Sequence, residues 1–91
     1  MELNDIFKHA DDALLEDMDG ELLLYHPPTA ITLHLNGPSA VVWQLCDGER
    51  SCSDIIELVK EAYPDQAEQV DADVEQVVDD LAARGVLVKV D

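Results

Sequence analysis

Hydrophobic and polar positions along this chain repeat first at the period of a strand and then at the period of a helix. Residues 13–35 follow the two-residue alternation of a pleated strand, or short apolar bursts of strand length. Within them "ALLEDMDGELLLYHP" reads as a hairpin over residues 13–18 and 21–26. Asp19-Gly20 supplies the turn, because both positions tolerate the positive φ of a two-residue connection. Pro27 and Pro28 end the second strand, since neither can donate to a ladder. "AITLHL", residues 30–35, is the third strand. Ile31, Leu33 and Leu35 point to one face, and Ala30, Thr32 and His34 to the other.

From residue 36 the spacing becomes helical. Asn36 stands where an N-cap belongs, and Pro38 is tolerated in the first turn. The first helix carries Ala40, Val41, Val42, Trp43, Leu45 and Cys46 and stops at Asp47-Gly48. Ser51 and Asp54 form a capping pair for a second helix, whose apolar face is Ile55, Ile56, Leu58, Val59 and Ala62. Pro64 ends it. The third helix spans residues 66–84, with Val70, Val74, Val77 and Leu81 on one stripe and Val78 and Ala82 flanking it. Gly85 suits the left-handed residue that closes a helix. "VLVKV" after it is a short terminal strand. Residues 1–12 place Leu3, Ile6, Phe7 and Ala10 at helical spacing without a good cap, which predicts a loose, flexible arm before a domain at 13–91. The predicted class is α+β, a three-stranded antiparallel sheet followed by three helices.

Composition narrows the function. Ninety-one residues make one small domain, and 4% aromatics against 47% hydrophobic residues make its core aliphatic. No apolar run reaches bilayer length, and the N-terminus lacks a signal-peptide pattern, so a cytoplasmic protein is expected. The formal charge of −16 argues against nucleic acid and anionic membranes, which attract lysine and arginine. A basic or apolar partner suits it better.

The chemistry-bearing residues do not converge. His9, His26 and His34 each stand alone in their segments, and His34 is on the solvent face of its strand. Cys46 and Cys52 have no second pair to complete a zinc site, and a reducing cytosol disfavours a disulfide. No nucleophile pattern, phosphate loop or metal-binding helix is present. The expectation is a protein that is not an enzyme and carries no cofactor or metal, with Trp43 as a core residue.

"LNGPSAVVWQLCDGERSCSDII", with "ELLLYHP" upstream and "LAARGVL" downstream, resembles the PqqD family. The likeness covers nearly all of the chain beyond residue 12 and rests on the order and spacing of these pieces. It implies a winged helix-turn-helix-like fold and a role as a precursor-peptide recognition element. Such domains bind the leader of a ribosomally synthesised peptide as an added strand. They present it to a modifying enzyme, often of the radical S-adenosylmethionine type. In the family the leader lies beside the third strand, in a groove shared with the third helix.

Carried onto this chain, the resemblance implies a peptide-binding site along Ala30, Ile31, Thr32, Leu33, His34 and Leu35. The strand is last in its sheet and has no proline, lysine or arginine to block pairing. Val74 and Leu81 on the helical stripe, with Val78 and Ala82 on its flank, would form the opposite wall. Asp71 and Glu75, among the acids crowding that helix, would steer a basic leader. The protein would be a monomer or a weak homodimer. Two other readings are a winged-helix DNA-binding regulator, which the acidic third helix opposes, and a structural subunit of a larger maturase.

Overall fold

The computed structural model describes residues 2–19, 21–35 and 37–90. In chain order the elements are β1 (Phe7–His9), β2 (Leu14–Met18), β3 (Glu21–His26), β4 (Ile31–Leu35), α1 (Pro38–Leu45), α2 (Cys52–Ala62), α3 (Ala67–Ala83) and β5 (Leu87–Lys89). Strands β2, β3 and β4 form an antiparallel sheet in that order, the one expected from residues 13–35. Asp19 adopts φ 54°, as a hairpin turn requires, whereas Gly20 lies outside the described residues.

The register explains which face is buried. Leu24 pairs with Leu15 on one side and Leu33 on the other, and Leu22 pairs with Asp17 and Leu35. Leu22, Leu24 and Leu35 on that face are buried under the helices. The opposite face carries Leu14, Tyr25 and Thr32 and is exposed.

Each helix starts for a local reason. The expected cap of α1, Asn36, lies outside the described residues. The residue before α1 is Gly37, at φ 54° and ψ −134°, a backbone conformation open to glycine. α2 has the anticipated reciprocal cap: Asp54 N–H donates to Ser51 Oγ at 3.2 Å, and Ser51 N–H to Asp54 Oδ2 at 3.3 Å. Ile55, Ile56 and Val59 turn inward, but Ala62, expected on the same face, is exposed. Proline begins the 3-10 turn Pro64–Gln66 that separates α2 from α3. Arg84 and Gly85 close α3, with Gly85 at φ 83°.

Two expectations need correction. The buried stripe of α3 runs through Val70, Val74, Val78 and Leu81, with Val78 wholly enclosed, while Val77 is half-buried. Residues 77 and 78 lie about 100° apart on a helix, so their order around the core depends on the neighbours rather than on the period. The N-terminal segment is also not a loose arm. β1 pairs antiparallel with β5, matching Phe7 with Lys89, and buries Phe7 and Ala10. Its backbone is in demand elsewhere too. Gly48 N–H donates to the Phe7 carbonyl, Cys52 N–H to that of Asp5 and Ser53 N–H to that of Leu3, at 3.0, 2.8 and 2.9 Å. Cys52 and Ser53 open α2, so this segment satisfies amides the helix cannot satisfy itself.

Candidate functional site

β4 has a neighbour on one side only among the described strands, so its other edge is open. The register determines which backbone groups lie along that edge. The two-residue connection makes Met18 and Glu21 a mutually bonded pair, and bonded pairs alternate along a ladder. Leu22, Leu24 and His26 therefore turn their amides toward β4, where they meet Leu35, Leu33 and Ile31. The N–H and C=O groups of Thr32 and His34 are left facing outward.

The side chains of β4 divide as the alternation requires. Thr32 and His34 are exposed, Ile31 and Leu33 half-buried on the helix side, and Leu35 buried. His34 Nε2 meets Glu21 Oε2 at 2.9 Å across the exposed face. Ala30 is exposed but precedes the strand. It sits at φ 56°, with its N–H donating to the Pro27 carbonyl at 3.1 Å.

Beyond the end of β4 lies an open cleft of about 600 Å³ between the start of α1 and one flank of α3. Pro38 and Ser39 form one side, and Asp73, Gln76, Val77 and Asp80 the other. Those four α3 positions follow the three-four spacing of a single helix face. Val77 supplies apolar surface between two carboxylates. Arg84 Nε lies 3.1 Å from both carboxylate oxygens of Asp80.

Asp71 and Glu75, expected near the groove from the sequence, do not line this cleft. Asp71 and Glu75 line a separate depression with Leu3, Ser53, Ile56, Glu57 and Lys60, on the α2 side. Asp71 Oδ1 meets Lys60 Nζ at 3.2 Å there. Val74, Val78 and Leu81 are core residues, and Ala82 is half-buried against the core. A leader side chain cannot touch Val78 without opening the protein. The chain that leaves β4 at Leu35 reaches Pro38, and so the cleft lined by Asp73, Gln76, Val77 and Asp80, three residues later. Val77 was visible in the sequence as part of the apolar stripe, but nothing there distinguished a rim residue from a core one.

The remaining reactive groups are engaged or enclosed. Trp43 is 1% exposed, so it cannot act as a surface anchor. The His26 ring lies between Thr29 Oγ1 at 2.8 Å and Asp12 Oδ1 at 3.0 Å. Cys46 and Cys52 are free and buried. Burial pushes the Cys46 thiol up to about 12 and the Cys52 thiol up to about 11, so neither is a thiolate near neutral pH. No group of three His, Cys, Asp or Glu side chains among the described residues is placed to hold a metal ion.

Comparison with known proteins agrees with this architecture. A solved structure described as TbiB1 in complex with the TbiA(beta) leader peptide superposes with a TM-score of 0.78, at 21% sequence identity. The match covers 88% of this chain and 93% of that one, and shows a shared fold. No curated protein matches in sequence. The profile of the family described as coenzyme PQQ synthesis protein D (PqqD) matches residues 21–87, from the start of β3 to the start of β5. That span contains both walls of the cleft and the open strand beside it, and it places the chain in the PqqD family.

Proposed function

We propose that this domain captures the leader of a ribosomally synthesised precursor peptide by strand addition along β4 and presents it to a modifying enzyme. The observation that carries the reading is the unpaired edge of β4, a strand that leads within three residues to Pro38 at the cleft between α1 and α3. The structurally similar TbiB1, solved with a leader peptide, supports it. The domain acts by binding, without turnover of its own, in the cytoplasm where such precursors are made.

Backbone pairing alone does not give useful affinity. Thr32 and His34 offer four outward groups, each worth roughly 0.5–1.5 kcal/mol net when paired. Ordering a disordered leader costs roughly 2–5 kcal/mol, which consumes most of that gain. Affinity therefore comes from side chains. Apolar leader residues would cover Ile31 and Leu33 and reach Val77 and Pro38. A lysine or arginine near them would meet Asp73 and Asp80 at the cleft wall. A DNA-reading role fares badly at the same surface, because Asp73 and Asp80 would repel phosphate.

The test is a titration of the isotope-labelled protein with synthetic leaders of candidate precursor peptides. Protection from hydrogen exchange should appear at the amides of Thr32 and His34, with shifts at Val77. Binding that leaves β4 unperturbed would refute strand addition.

A further inference from the structure

We propose that the opposite edge of the sheet, β2, docks a second protein, one that presents a strand bearing lysine or arginine beside apolar side chains. This inference rests on the handover part of the function above and not on leader capture at β4. All five residues of β2 are exposed, and its packing partner is β3. Leu14 is 57% exposed, Leu15 50%, Met18 51% and Tyr25 of the neighbouring strand 41%. These are four of the six large exposed hydrophobics among the described residues, which marks the hairpin as the main apolar surface. The register sets Leu14 against Tyr25 on the outer face, with Met18 on the same side, while Leu15 turns to the helix side. The strand thus presents apolar side chains on both faces and an unpaired backbone edge between them. Edges that must stay alone usually carry charges, proline or a covering element; β2 has no proline or lysine, and its guards are Glu16 and Asp17, which a basic strand would neutralise.

Charge identifies the occupant. Glu16 and Asp17 lie between the apolar residues, with Asp19 and Glu21 at the turn and Asp11 and Asp12 at the other end. No lysine or arginine occurs from residue 9 to residue 49, so the sheet has no arginine or lysine of its own to offset them. A second copy fits poorly. An antiparallel pair centred on Glu16 would oppose Glu16 with Glu16, and like charges directly across a sheet destabilise it. Two chains of formal charge −16 also repel each other. The leader fits poorly too, because no helix packs beside β2 to make a cleft. A basic, strand-presenting protein satisfies the edge, both apolar faces and the carboxylates together.

The experiment uses the full chain and a backbone-cyclised hairpin peptide of alternating leucine and lysine, with a glutamate-for-lysine hairpin as charge control. Amide shifts are expected at Leu14–Met18 and at Tyr25. L15K and M18K together should weaken the lysine hairpin at least tenfold, and the glutamate hairpin should not bind. Both substituted positions are exposed, and circular dichroism is the check that the variant is folded. Shifts spread over the acids of α3, shifts centred on β4, or equal binding of both hairpins would overturn the proposal. So would a peptide-independent dimer that L15K abolishes, since the occupant would then be a second copy. Titrating the leader into the same samples keeps the two readings apart. A parent that binds the lysine hairpin at β2 but takes no leader refutes capture at β4 and leaves docking at β2 standing.

Discussion

The imidazole of His9 lies flat on the indole of Trp43, with ring centroids 3.8 Å apart and planes within 2°. His9 Nε2 also donates to the Trp43 carbonyl at 2.6 Å. The N-terminal strand is thereby fastened to α1, the helix that begins directly beyond the open edge.

Replacing His9 by alanine removes a stacked ring pair, worth about 0.5–1.5 kcal/mol, and a hydrogen bond of similar size. The expected loss is about 1–3 kcal/mol of stability, read as a lower urea midpoint. Deleting residues 2–10 should cost more, because Phe7 leaves the core and the amides of Gly48, Cys52 and Ser53 lose their acceptors. A deletion variant with an unchanged midpoint would contradict the packing of β1.

Proline on β4 separates the two sides of the strand. At Thr32 it removes an outward N–H, so Thr32→Pro should weaken leader binding more than tenfold with a smaller change in melting temperature. At Leu33 it removes an N–H bonded to β3, so Leu33→Pro should lower the melting temperature by far more. Equal thermal damage from the two variants would show that the parity of the register is wrong.

Adjacent valines on α3 should behave differently. Val78→Asp buries a charge in the core and should unfold the protein. Val77→Asp should stay folded and lose leader affinity by about tenfold or more, through the charge brought to the rim. Glu75→Lys, on the α2 side of α3, should change binding little. Calorimetry on the folded variants checks all three.

The cysteines predict an alkaline limit. Both thiols have folded-state values raised above the unfolded one, chiefly by burial, so their contribution to stability is fully present below the unfolded value, near 9. It is lost as pH rises toward about 11 and about 12. Urea midpoints should therefore fall above about pH 9, and fall less in Cys46→Ala. Native protein at pH 7 should react with thiol reagents only at the rate of unfolding.

The sequence made some of this legible and not the rest, for physical reasons. The β2–β3 hairpin and the cap of α2 are local: two residues set the turn, and Ser51 and Asp54 answer each other across three. The third strand could be read because Ile31, Leu33 and Leu35 alternate with polar residues. The β1–β5 pairing could not, because Phe7 and Lys89 lie at opposite ends of the chain and three apolar residues suit a helix equally well. On α3, periodicity located the apolar stripe but not its rim. Val77 and Val78 exchanged places because Val78 is enclosed in the core, while Val77 lies at the margin of that packing, where the cleft opens between α3 and the start of α1. The expected pair Asp71 and Glu75 falls beside Lys60, on the α2 side of that helix.

The pairing of Phe7 with Lys89 also governs how the domain can be built into something larger. Phe7 and Lys89 lie side by side, across the width of a two-stranded ribbon. Links made at Phe7 and at Lys89 would start from neighbouring points. The whole unit can also be spliced into a surface loop of another protein without prising that loop apart. Fusion or insertion through these two strands would leave the β2–β4 sheet untouched, because β1 and β5 form a separate sheet.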